Sequence, residues 1–563
     1  MTKKKKIACA VWAALVAATL IVLIPPVQNM LIHFILSVSN TRYEASRWQQ
    51  RFHSFAIRPL IVLIIVPLYI LHFPSHKADV DDEGEHNVFF ILAVLFAACF
   101  CVLSFCTTSS FLYRYNTWDD PNTFLTMGKG LVLGKVPYRD LYDHKGPLLW
   151  FIHAAAYLLS RHTFHGGFIM EVLFATFFSY FAYKAVRLFT SKSVLFVFPL
   201  VGALIYAAYN ISWGDTAEEF SIPFFMYALY VSAKHLKQKT DYSGQELFFT
   251  GVCCGCVLWI KYTCLGFFIG WIFVPLYVYI REKKFAALGM CILCFILGII
   301  ASALPYFIYF GWHHAIKDWF TVYFYHNMFL YTPSSEKLGL LAIIKNCIKP
   351  FPYLCHKIFF ITLFTAMSFY FLWKENEKRL LAALCFSLLF SYFFVFFLNR
   401  QSPYSSFVLN IYVIFAIVPL NRFLSRVPEN KRKYALAASF VFSAAFCLLT
   451  YREIGRMKIK REEMPQYQFR EIAKTVPSPS LLTYKFADTG FYTLADILPS
   501  CKYFSETAMP LPEQDEVRDY YVQNAMTDFV ITLHPLDLPR YELHAVLHDP
   551  YDDEDTYYVY KRQ

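Results

Sequence analysis

Long apolar segments separated by short polar loops make up most of the chain. A helix needs about 20 apolar residues to cross a bilayer, and the pattern predicts an α-helical polytopic membrane protein with about 13 such helices. The predicted spans are residues 7–24, 56–73, 88–111, 168–186, 193–209, 220–233, 247–260, 264–280, 286–310, 358–373, 380–398, 404–420 and 434–451. The first follows four lysines and is interpreted as a retained signal anchor.

An apolar stretch at residues 148–160 decides the predicted orientation. It is too short to cross a bilayer and is predicted to lie in the membrane interface. If this stretch does not cross, five successive basic loops lie on the cytoplasmic side. If it crossed, the same loops would lie outside the cell. Because Lys and Arg are enriched in cytoplasmic loops, the N-terminus is predicted in the cytoplasm and the C-terminus outside.

The C-terminal tail, residues 452–563, has a different pattern. It is polar, with probable strands at 480–485, 528–533 and 556–561 and a helix at 513–525. The tail is therefore predicted to be a small extracytoplasmic α/β domain. The predicted division is residues 1–87 for the signal anchor and second span, 88–451 for a transmembrane module, and 452–563 for the tail domain.

Composition supports a membrane protein and argues against a nucleic-acid partner. The 563 residues are 57% hydrophobic and 17% charged, compared with about 45–50% apolar and about 25% charged residues in soluble proteins. The net charge is +11, but the basic residues stand in short clusters between apolar runs rather than in one patch. No Cys or His spacing typical of a metal site occurs, so no metal ligands are assigned.

One polar passage, residues 117–147, interrupts the apolar pattern in the first half of the chain. Charged groups at a membrane edge are costly unless they face water or take part in chemistry, so this passage is predicted to form half of an active site. Its candidate residues are Asp119, Asp120, Asp143, His144 and Lys145.

Later loops that are predicted to reach the same outer face carry further candidates. Carboxylates from two loops beside cations suit a reaction in which a base deprotonates an acceptor while cations hold a phosphate leaving group. These candidates are Asp215, Glu218, Glu219, Lys261, His326 and Arg400.

Two of these loops resemble a known family. The passage DD…GKVPYRD…HKGPLL (residues 119–149) and the loop NISWGDTAEEFSIPF (residues 210–224) are similar to those of the GT-C superfamily of membrane glycosyltransferases. The resemblance is to the protein-mannosyltransferase-like and RgtA/B/C/D-like branch, which uses polyprenyl-phosphate sugars. It covers roughly residues 88–451.

The resemblance implies a role for most of the candidates. Asp119 or Asp120 would act as the base or orient the acceptor, and Glu218 or Glu219 would supply a second acid with Asp215 behind it. Lys145, beside Asp143 and His144, would contact the lipid phosphate.

Lys261 and Arg400 would hold that phosphate, and His326 is a candidate substrate contact. Family members often carry His-Tyr a few residues after the arginine, whereas this chain has Arg400-Gln401-Ser402-Pro403-Tyr404. This loop therefore departs from the family pattern at the histidine position.

These features predict a glycosyltransferase that moves a sugar from a polyprenyl-phosphate donor to an envelope glycan, lipid or protein acceptor. The predicted location is the bacterial inner membrane, among membrane lipids, with the chemistry on the extracytoplasmic face. A divalent metal is left open as a cofactor. A transporter or flippase for lipid-linked glycans, or a polymerase or ligase, is the alternative. A transporter predicts charges within spans and repeated halves, and a ligase predicts Arg and His in a large outer loop.

Overall fold

The computed structural model describes residues 87–190, 194–331, 339–397, 402–424, 431–550 and 556–563, and the single positions 27, 30 and 428. Seven helices in this part of the chain are long and apolar enough to cross a membrane. They are Val88–Cys106, His165–Arg187, Tyr262–Arg281, Phe285–Trp312, Lys378–Phe396, Pro403–Arg422 and Arg432–Thr450. Leu340–Lys357 and Phe359–Lys374, bent by 99° at their junction, make an eighth if the pair is one span.

Three predicted spans do not meet this criterion, and two others, 7–24 and 56–73, lie outside the described residues. The three correspond to the helices Leu195–Tyr206, Ala217–Gln238 and Gly244–Leu258. The first and third are shorter than a bilayer requires. The second has 22 residues, about 33 Å of helix, but it carries charges near both ends.

Other helices connect these elements or lie beside them. They are Asp119–Val132, Pro147–Leu159, Ile316–Phe320, a π-helix at Thr321–Leu330, Pro465–Ala473, Phe491–Leu494 and Pro512–Gln523. The polar passage is thus more ordered than a loop, because Asp119–Val132 packs as a helix against Pro147–Leu159. Pro147 begins the second of these helices, where a missing backbone N–H costs nothing.

The basic loops meet at one end of the helical bundle. Ion pairs join Arg422 to Glu375 at 2.6 Å and Lys284 to Asp241 at 2.7 Å. The helix Ala217–Gln238 ends at this side and begins with Glu218 at the other. The acidic candidates and the basic loops therefore lie at opposite ends of the bundle, as the charge pattern predicts.

The tail contains a four-stranded mixed sheet in the order β1-β2-β4-β3. The strands are β1 Leu481–Thr483, β2 Phe529–Thr532, β3 Tyr541–His548 and β4 Thr556–Arg562. β1 is parallel to β2, and β4 is antiparallel to both of its neighbours. The sequence pattern indicates β1, β2 and β4 but misses β3, an edge strand with only two buried residues.

This sheet domain packs directly on the polar passage. Lys129 forms an ion pair of 2.8 Å with Asp496, and the backbone N–H of Tyr142 donates to the carbonyl of Lys502 at 2.9 Å. A single buried apolar cluster includes Trp150 from the helical module and Phe529 from the sheet. The tail therefore forms part of the wall around the candidate site.

Candidate functional site

A short backbone pairing positions the two candidate lysines. The N–H of Gly146 donates to the carbonyl of Ile260 at 3.0 Å, and the N–H of Leu148 donates to the carbonyl of Trp259 at 2.9 Å. A Cβ atom on Gly146 would lie 2.1 Å from the carbonyl oxygen of Trp259, so only glycine permits this approach. The pairing brings the segments that carry Lys145 and Lys261 side by side.

Lys145 reaches the first acidic pair. Asp119 and Asp120 open the helix Asp119–Val132, where carboxylates are stabilised by the helix dipole. The Nζ of Lys145 lies 3.3 Å from Oδ1 of Asp120. Oδ1 of Asp119 accepts the backbone N–H of Asp120 at 2.9 Å. The two adjacent aspartates thus have different partners, one a cation and the other a backbone amide.

Lys261 reaches the second acidic loop. Its Nζ lies 2.6 Å from Oε1 of Glu218, whose side chain is only 2% exposed. Thr216 caps the helix Ala217–Gln238 by accepting the N–H of Glu219 at 3.0 Å, and this places Glu218 in the first turn. The second lysine is therefore also held by a buried carboxylate.

Tyr404 joins the two ion pairs into one site. The Nζ of Lys261 lies 5.4 Å from the centre of the Tyr404 ring, and the Tyr404 phenol interacts electrostatically with both Asp120 and Lys145. The ring of Trp118 packs edge-on against it, with 5.0 Å between centroids. We call Asp120, Lys145, Glu218, Lys261 and Tyr404 the two-lysine cluster.

The charges around this cluster set its protonation states. Burial, with the adjacent Asp120, raises the pKa of Asp119 to about 6. Burial alone would lower the pKa of Lys145, but Asp120 and Asp143 outweigh it and raise the pKa well above its usual value. Burial likewise opposes charge on Lys261, but Glu218 raises its pKa. Both lysines are therefore cationic at neutral pH, while Asp119 titrates close to neutrality.

Asp143 and His144 shape the segment that carries Lys145. Asp143 accepts the backbone N–H of Lys145 at 2.7 Å, and burial raises the pKa of Asp143. The His144 ring packs on Tyr331 with 4.9 Å between centroids, and its carbonyl accepts from the Asn327 side chain at 2.7 Å. Both candidates belong to the site, and the contacts of Asp143 and the His144 backbone fix the loop.

Asp215 and Glu219 lie in a second, deeper group. The backbone N–H of Asp215 donates to Glu171 at 2.7 Å and to Glu219 at 3.0 Å. The Nε2 of His153 lies 2.9 Å from Oδ1 of Asp215. We call Glu171, Asp215, Glu219 and His153 the buried acidic cluster, since each is at most 1% exposed. Glu218 and Glu219, adjacent in sequence, therefore belong to different clusters.

His326 is not brought to the two-lysine cluster. The Nδ1 of His326 lies 3.1 Å from the Tyr142 hydroxyl, and burial, with Lys502 of the tail domain nearby, lowers the pKa of His326. His326 thus faces the junction with the tail. Arg400 lies outside the described residues.

Sequence reasoning missed two participants. Tyr404 follows a proline at the start of an apolar helix, where an aromatic residue is ordinary, so no local signal separates it from a packing residue. The sequence alone indicates that His153 is a packed or interfacial histidine. In the structure it is fully buried, but it also contacts Asp215. A polar residue within an otherwise apolar helix was the available signal for it.

The described residues do not support a metal site. Within them, no group of three His, Cys, Asp or Glu side chains is arranged to hold a metal ion. In the two-lysine cluster, the carboxylates of Asp120 and Glu218 form ion pairs with Lys145 and Lys261.

Two solved structures of ArnT from Cupriavidus metallidurans share this fold. The structure bound to undecaprenyl phosphate matches with a TM-score of 0.56 and 12% identity, over 84% of this chain and 97% of ArnT. The apo structure matches with a TM-score of 0.53 and 11% identity over the same shares. No family model and no curated protein matches the sequence. The fold that the resemblance implies is therefore confirmed, at an identity that shows the fold alone.

Proposed function

We propose that this protein is a membrane glycosyltransferase that transfers a sugar from a polyprenyl-phosphate donor to an envelope glycan, lipid or protein. The observation that carries the proposal is the two-lysine cluster, in which Lys145 and Lys261 converge from separate segments with Asp120 and Glu218. The fold supports it, since the solved ArnT structure with this fold contains undecaprenyl phosphate. We place the reaction on the extracytoplasmic face, because the basic loops lie at the opposite end of the bundle.

The lysines would bind the donor phosphate. Each ammonium group is now paired with one carboxylate, and a phosphate can share these cations through charge-assisted hydrogen bonds. Lys145 is 9% exposed and Lys261 16% exposed in their side chains, so the field they create is weakly screened. The isoprenoid chain would remain in the bilayer while the phosphate lies at the level of the cluster.

The transfer is a single displacement at the anomeric carbon. An acceptor hydroxyl attacks that carbon while its bond to the phosphate oxygen breaks. The electron pair of the broken bond stays on the phosphate, where Lys145 and Lys261 stabilise the charge. The proton of the hydroxyl passes to a carboxylate base. One displacement inverts the configuration of the sugar.

Asp119 is the proposed base, and Asp120 the residue that orients Lys145. Asp120 is engaged by the Lys145 ammonium group at 3.3 Å, so its carboxylate serves to hold that lysine. The raised pKa of Asp119, about 6, suits a base that must be ionised at neutral pH and still accept a proton. Glu218 holds Lys261 in the same way.

The test is release of polyprenyl phosphate from labelled polyprenyl-phosphate sugars by the purified protein. Asp119→Asn, Lys145→Ala and Lys261→Ala should each reduce release by about a hundredfold or more. Lys317→Ala and Asp537→Asn, which change charges outside the cluster, serve as matched controls and should keep the parental rate. Parental rates in all three site variants would overturn the proposal.

The same assay separates a transferase from a flippase. A flippase would move the labelled lipid across vesicles without releasing polyprenyl phosphate. Intact donor recovered after movement across the membrane, with no sugar on any acceptor, would also contradict the proposed reaction.

A further inference from the structure

A cavity lies beside the two-lysine cluster. It has a volume of about 210 Å³ and is lined by Tyr209 and Asn210, by the helix Pro350–Lys357, and by residues 402–406. Pro403 lines this cavity, while the next residue, Tyr404, belongs to the two-lysine cluster. The described residues that line the cavity include no member of the two-lysine cluster, so the cavity is a distinct site at the same end of the bundle.

Cations converge on this cavity. Lys349 and Lys357 line it together with Tyr353, and the spacing of four residues places all three on one helical face. The Nζ of Lys357 lies 4.7 Å from the centre of the Tyr209 ring, and the guanidinium of Arg452 lies 5.3 Å from the same ring. Lys357 and Arg452 therefore both lie against the Tyr209 ring, and Lys349 is a third cation at the same cavity.

The carboxylates nearby do not balance this charge. Glu453 pairs with both Arg452 and Arg456. Among the ion pairs within the described residues, none joins a carboxylate to Lys349 or Lys357. Like charges held close together raise the free energy of the site unless an anion joins them. The excess positive charge thus favours an anionic ligand.

The surface beside the cavity is apolar. The helix Leu340–Ile348 leads directly into Lys349, and Leu340, Leu341 and Ile348 are 73%, 83% and 64% exposed. In a membrane protein such a surface suits contact with acyl chains. At about 210 Å³ the cavity is smaller than a pocket of about 300–1,000 Å³ that encloses a drug-sized molecule, so it fits a headgroup rather than a whole lipid.

We propose that this cavity binds the phosphate monoester headgroup of a lipid at a site separate from the two-lysine cluster. Lys349 and Lys357, which line the cavity, would contact the phosphate oxygens, and Arg452 on the Tyr209 ring would add positive charge beside them. The Tyr209 and Tyr353 hydroxyls offer hydrogen-bond donors. Binding here requires no sugar transfer and does not depend on the two-lysine cluster holding a donor.

The test uses lysophosphatidic acid, a phosphate monoester with one acyl chain, titrated into the full-length protein in nanodiscs and followed by native mass spectrometry. The titration is done on a Lys145→Ala/Lys261→Ala background, so that phosphate at the two-lysine cluster does not contribute. Lys349→Ala/Lys357→Ala added to that background should weaken binding by about a hundredfold, since each charge-assisted bond accounts for about a tenfold change or more. Lys345→Ala, one turn earlier on the neighbouring helix, is the matched control and should leave the affinity unchanged.

Further arms identify the ligand. Lysophosphatidylcholine has the same acyl chain but a phosphodiester headgroup in place of the phosphate monoester. It should bind at least tenfold more weakly than lysophosphatidic acid. Inorganic phosphate should also bind more weakly than lysophosphatidic acid, and equal affinities would replace the lipid with free phosphate and overturn the proposal. An affinity for lysophosphatidic acid that is unchanged in the Lys349→Ala/Lys357→Ala protein, with its fold verified by thermal unfolding, would also overturn it.

Discussion

Adjacent residues in this protein take different parts because their side chains meet different partners. Asp120 forms an ion pair with Lys145, while Asp119 accepts a hydrogen bond from a backbone amide. Glu218 binds Lys261, while Glu219 lies in the buried acidic cluster. In both cases a helix begins at or just before the pair, and the 100° turn between successive residues directs the two carboxylates to different neighbours.

The protonation of Asp119 predicts how activity depends on pH. Because its pKa is raised to about 6, the base is ionised above pH 6 and protonated below it. The rate of polyprenyl-phosphate release should therefore fall about tenfold per pH unit below this value. Asp119→Asn should lower the rate about 10²–10⁴-fold, the usual contribution of a general base. It should also remove the fall in rate on the acidic side, which is the acidic limb of the pH–rate profile.

Asp120→Asn is the informative comparison for that experiment. It should reduce the rate through Lys145, since the lysine loses its partner, but the acidic limb should persist because Asp119 remains. A profile that keeps its acidic limb in the Asp119→Asn protein would contradict the assignment of Asp119 as the base.

Elements approach each other most closely where glycine removes a side chain. The segment at Gly146 pairs with the end of the helix Gly244–Leu258 through two backbone hydrogen bonds, one to Trp259 and one to Ile260. Gly214, with φ at +82°, turns the second acidic loop against Thr107, where a Cβ would lie 2.1 Å from the hydroxyl oxygen. These contacts between elements determine where the charged side chains meet.

Gly146→Ala should therefore impair activity without touching a charged group. The added Cβ would collide with the carbonyl of Trp259 at 2.1 Å, so the segment must shift and Lys145 must move away from Lys261. A misplacement of about 1 Å can reduce a rate about a hundredfold, and we expect a loss of this size in the release assay. Gly289→Ala, where no atom lies within 4 Å of the new Cβ, should retain the parental rate, and equal activity in both variants would contradict this role of the close approach.

The tail domain and the helical module form one structure around the site. The tail contacts the polar passage through Asp496 and Lys502, and it places Asp488 in a fully buried position.

The 22-residue helix Ala217–Gln238 connects the acidic end of the bundle to the basic end over about 33 Å, about the thickness of the hydrocarbon core.

Asp488 predicts a pH-dependent stability of the tail. Burial raises the pKa of Asp488 to about 7, above the value of 3.8 for the unfolded chain, so the folded state binds the proton more tightly. The contribution of Asp488 to the free energy of unfolding is complete below pH 4. Between pH 4 and pH 7 this contribution falls by about 1.4 kcal/mol per pH unit, and above pH 7 it is lost. Asp488→Asn should remove this component from thermal unfolding curves recorded between pH 4 and 8, whereas the exposed Asp537→Asn should keep it. An unchanged slope in the Asp488→Asn protein would contradict the prediction.

The arrangement of charges also predicts the orientation of the whole chain. A reporter inserted after Lys239, in the turn between Ala217–Gln238 and Gly244–Leu258, should be cytoplasmic, and one after Gln563 should be extracytoplasmic. The physical reason is that cationic loops are retained on the cytoplasmic side. The reverse pair of reporter activities would place the two-lysine cluster inside the cell and remove the basis for an extracytoplasmic reaction.

The sequence alone determined the class of the protein and most of its elements. Apolar runs long enough to cross a bilayer have few alternatives to a helix, since backbone polar groups must be satisfied within the segment. The tail strands β1, β2 and β4 were predictable because their buried, β-branched and aromatic residues are typical of strands. The resemblance of the segments around Asp119, Lys145 and Glu218 to GT-C glycosyltransferases implied the fold.

Only the tertiary structure decided which charges meet. The pairing of Lys145 with Asp120 and of Lys261 with Glu218, and the place of Tyr404 between them, depend on backbone contacts between segments far apart in the chain. The division of Glu218 and Glu219 between two clusters depends on the direction in which one helix begins. β3 was missed because an edge strand with mostly exposed residues has little hydrophobic pattern. Local sequence sets which segments can form, but ion pairs and enclosed cavities arise from packing between those segments.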